Sequence, residues 1–133
     1  MLKAKDLMTD NVVSVQKETP IYDALELLLE NNITGIPVVR GDMTLIGVLS
    51  EKDALTLFNA DEEGENKTVS DFMTQPAIHF DEDEGLQEVC DCLTNNYFRR
   101  IPVTSKGKLI GIITRSDIIK YILQQKVKSR AVD

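Results

Sequence analysis

The stretch LIGVLSEKD at residues 45–53 returns as LIGIITRSD at residues 109–117, with Gly47 and Gly111, like Asp53 and Asp117, 64 positions apart. Self-similarity at a fixed period marks a repeat architecture and takes precedence over any local reading. Outward from this pair, ITGIPVV ending at Val39 matches FRRIPVT ending at Thr104, and DLMTDNVVSV from Asp6 matches DFMTQPAIHF from Asp71. Pro37 and Pro102, like Asp6 and Asp71, stand 65 apart. The one-residue difference falls where RGDM at 40–43 faces SKG at 105–107, between two apolar runs, where a turn absorbs a length change at little cost. The chain is two copies of one unit. Between them NADEEGENK at 59–67 is polar and acidic and reads as a connecting linker.

Each copy predicts the same order of elements. VVSV at 12–15 and AIHF at 77–80 are short extended runs, followed by helices introduced at Thr19-Pro20 and Glu84-Gly85. Ile21, Ala24, Leu25, Leu28 and Leu29 in the first helix, and Leu86, Val89, Cys90 and Leu93 in the second, recur at helical spacing. The runs around Gly41-Asp42 and Lys106-Gly107 predict hairpins, and a last helix is predicted from Ser50 and from Thr114. The fold class is α/β (α+β): two β-α-β-β-α units, with sheets covered by helices. Units of roughly sixty residues are marginal alone, so the two are expected to stack and complete a common core.

Composition narrows the function. With 133 residues, 42% hydrophobic and 28% charged, the chain reads as a soluble globular protein. Its 22 acidic and 15 basic residues give a net charge of -7, which argues against duplex nucleic acid and against an anionic membrane. The N-terminal MLKAKDLMTD has no apolar core of a leader, and the apolar runs are too short to span a bilayer, so a cytoplasmic location is expected. Cys90 and Cys92 project in different directions from one predicted helix, and His79 is the single histidine, so no metal site is assigned. Without a phosphate loop, a nucleophile–base pair or a metal cluster, the chain reads as a non-enzyme that requires no cofactor. The acidic run 81–84 suggests a cation site, but its place before a helix fits charge complementarity at the helix start.

Several residues carry two readings. Ser50-Glu51-Lys52-Asp53 and Thr114-Arg115-Ser116-Asp117 have the pattern of a helix N-cap with an acid in the first turn. The same helix start offers free N–H groups to a phosphate, and its carboxylate can accept the two hydroxyls of a ribose. Gly47 and Gly111, inside strands, mark a bulge or a close approach by a ligand or another backbone. Pro37 and Pro102 fit the starts of strands. Arg99-Arg100, the adjacent arginine pair before IPV, reads as a solvated helix end or as a phosphate contact. Lys126, Lys128 and Arg130 read as a solvated tail.

A leading Met-Thr (Met8-Thr9, Met73-Thr74), a central Ile-Pro-Val (36–38, 101–103) and a closing Gly…Ser/Thr-x-x-Asp (47–53, 111–117), in order and twice, resemble a tandem pair of cystathionine β-synthase (CBS) domains over nearly the whole chain. The resemblance implies repeats at 1–58 and 68–133, packed with pseudo-twofold symmetry around the 59–67 linker, and clefts for AMP, ADP, ATP or another adenosyl compound. It implies that each cleft takes its Asp from one copy and the wall for the base from the other. One cleft would combine Thr114, Ser116 and Asp117, with Arg115 nearby, and Val13, Ile33, Thr34 and Ile36. The other would combine Ser50 and Asp53 with Ile78, Phe98, Arg99 and Ile101, and Arg99 and Arg100 would serve either. The copies diverge beside the Asp, Ser116 in one and Lys52 with Glu51 in the other, which favours the Asp117 cleft. A homodimer through helices 21–30 and 86–95 and a regulated partner protein in trans are the further expectations. The reading from another class is a dimerising scaffold whose clefts are vestigial.

Overall fold

Two three-stranded sheets organise the chain, in the orders β1-β2-β3 and β4-β5-β6. The computed structural model describes residues 1–59, 64–95 and 99–132. In chain order the elements are α1 (Ala4–Leu7), β1 (Val15–Gln16), α2 (Ile21–Glu30), β2 (Gly35–Val39), β3 (Leu45–Ser50), α3 (Glu51–Leu55), β4 (Phe80–Asp81), α4 (Leu86–Asn95), β5 (Arg100–Ser105), β6 (Lys108–Thr114) and α5 (Arg115–Val132). The β-α-β-β-α order is present twice. The leading strands are only two residues long, and each pairs in parallel with the next strand of its copy: Val15 with Val38 and Phe80 with Val103.

Packing does not follow the repeat boundaries. One compact unit, built on the first sheet, consists of Val13–Ile78 with Lys106–Leu109; the other, built on the second sheet, consists of Met1–Val12, His79–Ser105 and Ile110–Asp133. The segment before the first repeat's sheet therefore belongs with the second sheet. The described residues form two hydrophobic clusters, each within its own unit. In the first-sheet unit Ile21, Ala24 and Leu28 of α2 pack with Ile36, Val38 and Leu49 of the sheet and with Val69. In the second-sheet unit Val89 and Leu93 of α4 pack with Phe80, Ile101, Val103 and Ile113, and with Ala4. Val69 and Ala4, both fully buried, are the anchors of the displaced segments. Burying a valine contributes on the order of 2 kcal/mol, and the Ala4 segment adds backbone hydrogen bonds to Glu84, Glu82 and Ile112, so neither segment is a loose tail.

The Met-Thr pairs sit at the outer edge of each hairpin. Thr74 exchanges both backbone hydrogen bonds with Val48, at 2.9 and 3.0 Å, and Thr9 does the same with Ile112, both at 2.9 Å. This explains the mid-strand glycines: a Cβ on Gly47 would stand 2.7 Å from the Thr74 carbonyl oxygen, and one on Gly111 would stand 2.8 Å from Met8 Cγ and 3.0 Å from the Thr9 carbonyl oxygen. Close approach by a Met-Thr pair is the reason for both, through the backbone at Gly47 and through the Met8 side chain first at Gly111. A register shift between Val38 and Val39 also leaves Ile46 unpaired, so a bulge lies one residue from Gly47.

Three expectations change in detail. Pro37 is the third residue of β2 and Pro102 the third of β5, not strand starts. Pro37 faces Val48, whose N–H and C=O turn away to Thr74, and β1 reaches β2 only from Val38, so the missing proline N–H falls where no ladder bond is needed. Leu29 is 83% exposed, because the buried stripe of α2 runs through Ile21, Ala24 and Leu28 and ends before it. Arg100 begins β5 instead of ending a helix. Among the described residues no helix is long and apolar enough to cross a membrane.

Candidate functional site

The start of α5 collects the most chemistry in the second-sheet unit. Asp117 Oδ2 accepts the Thr114 N–H at 2.8 Å and the Thr114 hydroxyl at 3.2 Å, while the Asp117 N–H points back to Thr114 Oγ1 at 3.4 Å. This is the reciprocal cap that the sequence pattern describes. The second carboxylate oxygen, Oδ1, accepts the Thr9 hydroxyl at 3.3 Å. Ser116, between the capping residues, is exposed. Behind it run the 18 residues of α5, long enough for the full partial positive charge of a helix N-terminus.

Arg100 lies within electrostatic reach of Asp117. Burial pushes its guanidinium below the ordinary arginine pKa, and the negative charge of Asp117 opposes that effect. Among the described residues its Nε is the buried side-chain polar atom that lacks a hydrogen-bond partner. A guanidinium does not shed its proton in a protein, so the cation stays charged, and its positive charge adds to that of the α5 N-terminus. Arg99 is exposed, and Arg115 donates from Nε to the Leu93 carbonyl at 3.1 Å, near the end of α4, where cations suit the exposed carbonyls.

The first-sheet unit repeats the turn with different surroundings. Asp53 Oδ2 accepts the Ser50 N–H at 2.9 Å, the Asp53 N–H reaches Ser50 Oγ at 3.1 Å, and Oδ1 accepts the Thr74 hydroxyl at 3.0 Å. Its helix, α3, has only five residues, and Lys52 and Glu51 are exposed beside the turn. The short helix gives a weaker dipole, and Glu51 adds a like charge to any phosphate.

The residues expected as walls divide sharply. Ile36 and Ile101 are 0% and 1% exposed and spend their side chains in the two cores, so neither presents a surface to a ligand. Thr34 gives its carbonyl to the Glu51 N–H at 3.0 Å, and Ile33 uses its N–H on the Leu28 carbonyl at 3.1 Å. That last bond, with Asn32 N–H to Leu29 and Asn32 at φ 50°, closes α2 as a Schellman motif. Val13 is half-buried and Ile78 exposed. Phe98 lies outside the described residues. A separate groove of about 300 Å³ lies in the second-sheet unit among Cys90, Leu93, Thr94, Arg115, Ile118 and Ile119, and Arg115 is the one expected site residue on it. Thr9 and Thr74 were legible as a repeated motif, but nothing in their spacing said that they touch the closing aspartates.

The family model of the CBS domain matches residues 4–60 and 69–124. The uncharacterised protein MJ1225 of Methanocaldococcus jannaschii is 34% identical over 118 residues, covering 89% of this chain and 42% of the relative. The chloroplastic CBS domain-containing protein CBSX1 of Arabidopsis thaliana is 34% identical, covering 95% of this chain and 63% of the relative. The chain thus spans less than two thirds of the length of these relatives. Among solved structures, CBSX2 in complex with AMP superposes with a TM-score of 0.84 at 36% identity, covering 95% of this chain and 99% of that one.

Proposed function

The chain belongs to the CBS-domain family, and we propose that it is a regulatory module that binds an adenine nucleotide at the start of α5 and signals to a partner protein. The observation that carries this reading is the Asp117 carboxylate held by its own cap and by Thr9 at the start of the 18-residue α5, with the charge of Arg100 within electrostatic reach. In this reading Asp117 accepts the ribose diol, Ser116 and the α5 N–H groups meet phosphate, and Arg100 supplies the opposite charge. The AMP held by CBSX2, 36% identical, supports the choice of adenine nucleotide. The Asp53 turn, on its five-residue helix, is the weaker of the two.

Self-association belongs to the same proposal, with its emphasis moved from that of the sequence. α4 contributes no large exposed apolar side chain, α2 contributes Tyr22 and Leu29, and α5 contributes Ile119, Ile122, Leu123 and Val127. These four recur at helical spacing, which supports α5 as a contact face between copies.

Thermal melting with and without AMP tests the reading. A ligand that binds only the folded chain stabilises it by RT ln(1 + [L]/Kd), about 2.7 kcal/mol at a hundredfold excess over Kd. AMP is expected to raise Tm saturably. Asp117→Ala should weaken binding by roughly tenfold to a hundredfold, the value of a charged hydrogen bond, and Asp53→Ala by less. Equal losses would overturn the choice of turn. The absence of any AMP effect on the unaltered chain would favour the dimerising scaffold.

A further inference from the structure

The capping turns at Asp53 and Asp117 are complete without the Met-Thr pairs: each carboxylate has one oxygen, Oδ2, committed to the backbone N–H of Ser50 or Thr114. A hydroxyl from far along the chain nevertheless reaches the other oxygen in both units. Thr74 reaches Asp53 Oδ1 across 21 positions, and Thr9 reaches Asp117 Oδ1 across 108. The arrangement is the same atom for atom, and in both units the threonine backbone is clamped to the hairpin edge through a two-way hydrogen bond that the glycine makes room for. An ionised carboxylate accepts at about four lone-pair positions, so one hydroxyl on Oδ1 fixes the plane of the group and still leaves a position open on that oxygen.

We propose that Thr9 and Thr74 are positioning residues that aim the open edge of Asp117 and Asp53 at a ribose diol; this rests on the reading of these carboxylates as ribose acceptors. A carboxylate free to rotate must be ordered when the diol binds, and a carboxylate already held by a clamped threonine need not be, so the threonine contributes to affinity without touching the ligand. It follows that the segment carrying Thr9 is part of the response. Residues 3–9 are held on the second-sheet unit by Ala4 N–H to Glu84, Lys5 N–H to Glu82 and the Thr9–Ile112 pair. Occupancy at Asp117 and docking of this segment reinforce each other, because coupling between two binding events is reciprocal.

The test titrates the full chain calorimetrically, well below its Tm, with AMP and with 2′,3′-dideoxy-AMP, which lacks the diol. Thr9→Val is expected to weaken AMP about twofold to tenfold, the range of one ordinary hydrogen bond. Thr9→Ser should restore it, and the dideoxy ligand should bind the unaltered chain and Thr9→Val equally. Equal losses for both ligands, no rescue by serine, or unchanged AMP affinity in Thr9→Val while Asp117→Ala loses it, would each overturn the proposal. Failure of the unaltered chain to bind AMP would instead overturn the nucleotide reading beneath it. A double-mutant cycle of Thr9→Val with Asp117→Asn, read as Tm without ligand, judges the contact by itself: non-additive shifts support it and additive shifts overturn it.

Discussion

A single absent methyl group ties motif to packing. Gly47 and Gly111 were open to three readings in the sequence, and the atoms facing their missing Cβ select close approach by a Met-Thr pair, the Thr74 carbonyl at Gly47 and the Met8 side chain with the Thr9 carbonyl at Gly111. Gly47→Ala is expected to destabilise by about 1–3 kcal/mol, as overpacking does, since the added carbon meets the clamped Thr74 carbonyl. Gly111→Ala should cost less, because its first obstacle is the flexible Met8 side chain. Gly41, with nothing within 4 Å of a Cβ, should tolerate alanine. Midpoints of denaturant unfolding order the three variants. Gly107 is different again: at φ 81°, following Lys106 at φ 52°, it makes the tight turn that closes the second hairpin.

At the scale of the element, the N-terminal segment behaves as a strap with an acid-sensitive pin. The hydrogen bond from Lys3 Nζ, with lesser help from the charges of Lys3 and Lys5, holds the Asp83 carboxyl below its ordinary value of 3.8 against an opposing effect of desolvation. A carboxylate with a depressed folded pKa contributes stability that is present above the ordinary value and is lost as pH falls through the folded one. Exchange protection of the amides in residues 3–9 is therefore expected to weaken below about pH 4 relative to the second sheet. An Asp83→Asn variant should lack that acid step. On α5 the four aliphatic side chains between 56% and 64% exposed make the other elemental prediction. Ile122→Glu is expected to shift sedimentation toward the monomer with little change in Tm, because the residue supports no core.

For the molecule as a whole, each repeat lacks a piece that the other's sheet holds. A chain cut after Asn59 loses Val69 and the Thr74 edge of the first-sheet unit and strands Ala4 without Phe80, Val89 and Ile113, so it is expected to lack a cooperative melt. The sequence by itself determined the duplication, the β-α-β-β-α order, both hairpin turns, and the Ser50–Asp53 and Thr114–Asp117 caps, because these rest on periodicity, turn chemistry and contacts three residues apart. It also pointed to the family through ordered motifs, now matched over residues 4–60 and 69–124. Tertiary structure decided that Met1–Val12 packs with the second sheet, that Val69 is buried with the first, that Ile36 and Ile101 are spent inside, and that Thr9 bonds to Asp117. Spacing along the chain carries no information about which copy a short segment docks on, since the two hairpin edges offer near-identical backbones. That choice is made by the summed burial and hydrogen bonding of the folded chain.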